Sequence, residues 1–225
     1  MPPNAVPAWH PAALVTLILL VSATGALLSA PPTAPPMHGT RIGQAYVPLL
    51  LVNWGFLLYV CRIGRPRWAF SELAGLRAYT PFTPSRVVRD VALAVVAAAA
   101  LIGGELAWQL VFGMTRNAAA SAMLPQTSLE RAVWCAVAVS AGVSEELVYR
   151  GYLVAELERW TASPLAAVLG QALLFSLAHG QQGMGAMLRF FAYAAGLGAL
   201  ALARRSLVPG ILAHVGVDLV AGLSG

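Results

Sequence analysis

The chain contains no lysine, and only 10% of its 225 residues are charged. Its net charge of +5 therefore comes from arginine alone. The arginines cluster in short stretches between apolar runs, which is a pattern of membrane topology rather than of nucleic-acid binding. Cysteine is scarce too: Cys61 and Cys135 lie in or beside apolar segments with no CxxC spacing. That gives no support to a disulfide framework or a thiolate metal site, so both are read as small packing residues. There is no HExxH helix and no Gly-x-Ser-x-Gly elbow, which removes the commonest signatures of zinc and serine hydrolases. No 20–50-residue repeat is evident.

What the chain has in abundance is apolar sequence. With 59% hydrophobic residues and a mean hydropathy of +0.73, it reads as an all-α polytopic membrane protein. Apolar runs at 11–30, 45–61, 87–112, 131–153, 164–179, 185–203 and 207–223 are each long enough, or nearly so, to cross roughly 30 Å of hydrocarbon. The expected count is seven spans, within a range of six to eight. The last three are short, and Gly183, Gly185 and Pro209 point to broken or tilted helices inside a bundle. Residues 11–30 are read as a retained anchor rather than a cleaved signal peptide. Leu28-Ser29-Ala30 offers small residues, but no positive charge precedes the run and Pro31 follows directly. Pro31-Pro32-Thr33-Ala34-Pro35-Pro36 should be an extended loop.

Arginine placement orients the bundle. Arg62, Arg65, Arg67, Arg77, Arg86 and Arg89 crowd the connection between the second and third spans, which should be cytoplasmic. Alternation then puts Arg159 and the Arg204-Arg205 pair on the same side and turns 31–44 and 115–128 outward. Residues 70–77 have the composition of a short interfacial turn. The expected setting is a bacterial inner membrane, because the arginine-only, alanine-rich composition resembles a chain from a genome of high G+C content.

The chain divides functionally at about residue 128. An N-terminal part, 1–128, carries few intramembrane charges, whereas 129–225 carries nearly all of them. Glu105, after Gly103-Gly104, is the exception and is read as a hydrogen-bonded structural group. In the second part, ionisable side chains fall in three phrases inside otherwise apolar segments, and intramembrane charge is costly enough to imply function. The first is Glu145-Glu146-x-x-x-Arg150, the second Phe175-x-x-x-His179 and the third His214-x-x-x-Asp218. Each repeats on successive helical turns, so three helices can aim them at one buried point. Glu146 and Arg150 have the spacing of an intrahelical ion pair and are assigned a structural role. Glu145, rotated about 100° from Glu146 on an α-helix, has no partner in its own motif and is the candidate general base. The bland alternative pairs both glutamates with arginines such as Arg150 and Arg189. Phe175 lies one turn before His179 and can wall its ring from lipid, and Asp218 can orient His214 or, when protonated, donate beside it.

Taken together, Ser144-Glu145-Glu146-Leu147-Val148-Tyr149-Arg150-Gly151, Phe175-Ser176-Leu177-Ala178-His179-Gly180 and His214-Val215-Gly216-Val217-Asp218 resemble the three motifs of the CPBP intramembrane proteases. These are also called the ABI or CAAX-protease-like family, and Rce1 is a relative. The resemblance covers about 130–222. It implies hydrolysis of a peptide bond in a membrane-associated protein or peptide, without a cofactor. Glu145 would take a proton from water, His179 would hold or polarise that water, and His214 with Asp218 would stabilise the oxyanion. Glu146 and Arg150 would hold their helix in place. Asp218 stands where the family often has asparagine, so it replaces an amide donor only when protonated.

Three other readings stay open at this point. A zinc-dependent version would use Glu145, His179 and His214 as ligands. A non-proteolytic transporter, immunity factor or scaffold would use the same groups as a proton relay or polar core. A serine mechanism is the weaker choice, because Ser140, Ser144 and Ser176 lack a triad. Among substrates, bacteriocin or pheromone precursors, anti-sigma factors and C-terminal sorting tails are alternatives to a prenylated partner. Straight helices of the expected lengths put Glu145 and His214 toward the cytoplasmic half and His179 toward the outer half. That requires either 151–163 to dip into the membrane or the fifth span to be displaced.

Overall fold

In the computed structural model, residues 7, 9–28, 41–64, 83–113 and 118–224 are described. The expected loop at 31–36, the turn at 70–77, Ser29-Ala30, and Arg65, Arg67 and Arg77 lie outside them. Among the described residues the protein is all helical and has no strand. In order, α1 is Trp9–Leu28, α2 is Val47–Tyr59, α3 is Pro84–Phe112, α4 is Ala118–Met123 and α5 is Ser128–Glu145. Then come α6, Val154–Thr161; α7, Pro164–Ala178; α8, Met184–Arg204; and α9, Val208–Leu223. Four continuous helical stretches are long and apolar enough to cross a membrane: Ile42–Arg62, Pro84–Phe112, Ser128–Thr161 and Met184–Arg204. The shorter apolar helices Trp9–Thr24, Pro164–Ala178 and Val208–Leu223 complete a set consistent with about seven spans. The protein is an integral membrane protein.

Local sequence sets most of the helix starts. Thr83, Thr127 and Ser163 each cap the helix that follows, accepting from the backbone N–H of Arg86, Glu130 and Ala166, and Pro84 and Pro164 occupy the first turn where no amide is needed. Thr127 and Glu130 form a full capping box. Gly113, at φ 61°, takes the left-handed conformation that ends α3. The expectation of broken helices at Gly183 and Pro209 needs correction. Gly183, at φ 90°, sits between helices, and Pro209 lies in the first turn of α9, so both mark ends rather than interruptions. The sixth run is also not short, since α8 has 21 residues.

The irregularity lies elsewhere. Residues Glu146–Leu153 are π-helical and join α5 to α6 without a break. A π turn takes more residues than an α turn, so successive side chains rotate by less, and such segments concentrate at functional sites. The stretch Ser128–Thr161 is 34 residues long, about 51 Å. This length bears on the depth conflict expected from sequence. The helix carrying Glu145 ends at Thr161 rather than near Leu153, which leaves Glu145 near its middle. Side chains of the π segment dominate the main core, where Leu147, Val148, Tyr149, Tyr152 and Leu153 pack with Leu14, Ile18, Ala172 and Phe175.

Close helix approach brings α5 and α9 together. A Cβ on Gly142 would meet Val215 Cγ2 at 2.5 Å and Val215 N at 3.0 Å, so only glycine lets the two backbones pass this closely. Gln171, fully buried on α7, donates to the carbonyls of Val168 (3.0 Å) and Ala194 (2.9 Å), tying α7 to α8. Arg41 reaches Ala122 O (2.8 Å) and Glu130 (3.6 Å), joining the start of α2 to α4 and α5.

Candidate functional site

All three phrases meet. The His214 imidazole of α9 lies against the α5–π junction. Its Nδ1 is 3.1 Å from Glu146 Oε1, while its Nε2 is 3.8 Å from Glu145 Oε2 and 3.7 Å from Asp218 Oδ2. A carboxylate accepts, so Nδ1–H donates to Glu146 and Nε2 is the atom left facing Glu145 and Asp218. The two glutamates thus flank one ring, which a strict α-helical rotation of about 100° between them does not anticipate. The π geometry beginning at Glu146 narrows that rotation. Glu146 is completely buried, whereas the Glu145 and Asp218 side chains keep 15% and 30% of their exposure.

Glu146 also pairs with Arg150 Nη1 at 3.3 Å. The Arg150 guanidinium carbon lies 4.3 Å from the centre of the Phe175 ring, a cation–π placement made stronger by burial. Gly210 of α9 backs the carboxylate, since a Cβ there would come within 3.0 Å of Glu146 Oε2. Phe175 is the hub of the aromatic packing. Its centroid is 4.5 Å from that of His179, 6.3 Å from that of His214 and 5.1 Å from that of Tyr149. His179 Nδ1 sits 2.8 Å from Phe175 O. A carbonyl only accepts, so Nδ1 carries the proton and the neutral ring presents Nε2 as an acceptor. Phe190 closes the other side of His179 at 4.3 Å.

Glu145, Arg150, Phe175, His179, His214 and Asp218 all line one cavity of about 860 Å³. Sequence reasoning missed part of it. Arg189 does not pair with the double glutamate. Its Nε is 2.9 Å from Glu105 Oε2, and Glu105 also accepts from Gln109 Nε2 (2.8 Å) and Tyr193 OH (3.3 Å). Glu105 is hydrogen-bonded as expected, yet it and its partners line the same cavity. The available signal was Arg189 itself, a second arginine within an apolar run. Trp134 was also missed; its indole N–H donates to Asp218 O at 2.9 Å, fixing the α9 backbone beside the site. Ser144 donates to Ser140 O (2.6 Å) and Ser176 to Met187 O (2.7 Å), so both are turned toward backbone carbonyls rather than a histidine. Among the described residues, no three His, Cys, Asp or Glu side chains are grouped so as to hold a metal ion.

Residues 127–220 match the family model described as type II CAAX prenyl endopeptidase Rce1-like. The matched segment is similar to that family. It spans α5 to most of α9 and contains every residue of the three phrases. No curated protein and no solved structure matches the chain. Within the matched segment, the π-helical stretch, the α7–α8 turn and the middle of α9 supply the polar groups, while α3 of the N-terminal part closes the cavity with Leu101, Ile102, Glu105 and Gln109.

Proposed function

We propose that the protein is an intramembrane endopeptidase in which Glu145 activates water for attack on a peptide carbonyl. The observation that carries this reading is the His214 ring, clamped at Nδ1 by Glu146 and facing both Glu145 and Asp218 with Nε2. A preorganised imidazole in a partly dry cavity is suited to meet negative charge as it develops. Glu145 accepts a proton from water and the new oxygen–carbon bond forms. The carbonyl oxygen becomes an oxyanion, which receives hydrogen bonds from His214 Nε2–H of the imidazolium and from Asp218 in its protonated form. The proton held by Glu145 then passes to the departing amine as the C–N bond breaks. His179, with its Nδ1 proton committed to Phe175 O, uses Nε2 to accept from the attacking water. Glu146, paired with Arg150, positions His214. The Rce1-like match supports the reaction class.

The test is a mass-spectrometric comparison of membrane-protein termini in cells carrying the wild type, no protein, or Glu145→Gln at equal expression. Termini present only with wild type are the expected result, and their sequences identify the substrate. Identical termini for wild type and Glu145→Gln, with a phenotype distinct from the null, would replace the protease by a non-proteolytic polar core.

A further inference from the structure

The cavity occupies one end of the bundle, and Arg62, Arg86, Arg89, Arg159, Arg204 and Arg205 lie at the other, against Arg41 and Arg131 at the cavity end. Six of the fourteen arginines lie between positions 62 and 89 of the sequence; of these, Arg62 is described at the end of the α2 stretch and Arg86 and Arg89 in the first turns of α3. Arg159 ends α6, and Arg204-Arg205 follow α8. None of the described ones lines the cavity. Its border is drawn from the opposite end: Ser121 and Met123 of α4, Gln181 and Gln182 of the α7–α8 turn, and Ser224 after α9. Three contacts fix which ends belong together. Arg204 binds Asp90, in the second turn of α3, at 2.6 Å, whereas Tyr193 and Arg189, toward the start of α8, bind Glu105 in the far half of α3.

Helix length explains why the space lies there. α7 starts beside the arginine-rich end and has only 15 residues, about 22 Å, less than the roughly 30 Å hydrocarbon thickness. Its C-terminal turn, with His179, is therefore part of the cavity wall. α3 has 29 residues, about 44 Å, and it flanks the cavity together with the Ser128–Thr161 helix.

Because arginine-rich ends are held on the cytoplasmic side, we infer that the cavity opens toward the non-cytoplasmic face. Its substrate is then the peptide chain of an exported, membrane-anchored protein, cut near the outer end of its anchor. The substrate part rests on the endopeptidase reading; the orientation does not. A lipidated cysteine motif presented from the cytoplasm would approach the wrong end. The mouth suits a translocated, hydrated segment, since Glu105, Gln109, Arg189, Gln181 and Gln182 place polar groups beside the apolar walls.

The experiment uses the full chain with Cys61→Ser and Cys135→Ser, into which one cysteine is returned at Gln182, Ser121 or Arg205. In intact spheroplasts, a membrane-impermeant maleimide is expected to label Gln182→Cys and Ser121→Cys, with Arg205→Cys labelled only after permeabilisation. The reverse pattern overturns the orientation. A phosphatase fused to the end of α9 serves as a second reading that does not depend on the cysteine background. Activity supports the outward cavity and inactivity with a folded, membrane-inserted fusion opposes it. The termini comparison separates the two parts. Outward labelling without cleavage sinks the endopeptidase and leaves the orientation. Cleavage confined to cytoplasmic segments sinks the orientation and leaves the endopeptidase.

Discussion

Glu145 and Glu146 are adjacent in sequence and touch the same imidazole, yet their burial gives them opposite sensitivities. Glu146 is sealed from solvent between Arg150 and His214, so removing its charge strands a buried guanidinium. Breaking a pair of this kind costs about 3–5 kcal/mol. Glu146→Gln is therefore expected to lower the Tm of the detergent-solubilised protein sharply. Glu145 faces the cavity, and Glu145→Gln keeps its shape, so the Tm should stay near wild type while cleavage is lost. Equal losses of Tm in the two variants would mean that Glu145 is part of the structural network. Arg150→Lys isolates a third contribution. It keeps the charge and loses the flat face over Phe175, for an expected cost of about 1–2 kcal/mol read in the same unfolding measurement. The intrahelical Glu146–Arg150 pair was legible from spacing alone. The bond from His214 Nδ1 to Glu146 was not, because it joins residues 68 positions apart and depends on how two helices cross.

At the level of the element, the crossing of α5 and α9 sets the distance between Glu145 and His214. Gly142 lies one turn before Glu145, and Val215 follows His214. A methyl at Gly142 collides with the Val215 side chain and backbone, which forces the helices apart. Overpacking of this type costs about 1–3 kcal/mol, and displacing a catalytic group by about 1 Å costs on the order of 100-fold in rate. Gly142→Ala should thus lower kcat far more than its modest loss of Tm suggests. Adding Val215→Ala removes the nearest contact and should recover part of the rate. An unchanged kcat in Gly142→Ala would show that the α5–α9 separation does not control the reaction. Helix starts were readable from the sequence because Thr83, Thr127 and Ser163 act locally. The π-helical stretch Glu146–Leu153 was not, since its residues have ordinary helical patterning and the widened turns answer to packing against α7 and α9.

Across the whole molecule, the apolar runs disclosed the order of the helices and a set consistent with about seven spans, but not where each helix ends. Depth depends on where each helix stops, and the stretch beyond Leu153 continues to Thr161 through Glu156, Glu158 and Arg159, residues polar enough to read as a loop. The same blindness hid the role of α3. Its surface is largely exposed, with Val88, Val95, Val96, Leu110 and Val111 all turned outward, as expected of a lipid-facing span. Polar contacts hold it at two levels, Asp90–Arg204 and Glu105–Arg189, and between them Tyr193 donates to Leu101 O at 3.0 Å. Because α3 forms one wall of the cavity, loosening either clasp should affect reaction and stability together. Among the described residues, Arg204→Ala leaves Asp90 with Arg86, at 3.9 Å, and is expected to cost about 3 kcal/mol. Tyr193→Phe removes a hydroxyl and should cost about 1 kcal/mol. Cleavage rates measured alongside unfolding should fall in the same order for these two variants, in contrast to Glu145→Gln, where rate and stability part company. If Arg204→Ala loses stability yet cleaves at the wild-type rate, α3 is a passive outer span and the Rce1-like segment forms the reacting cavity without it.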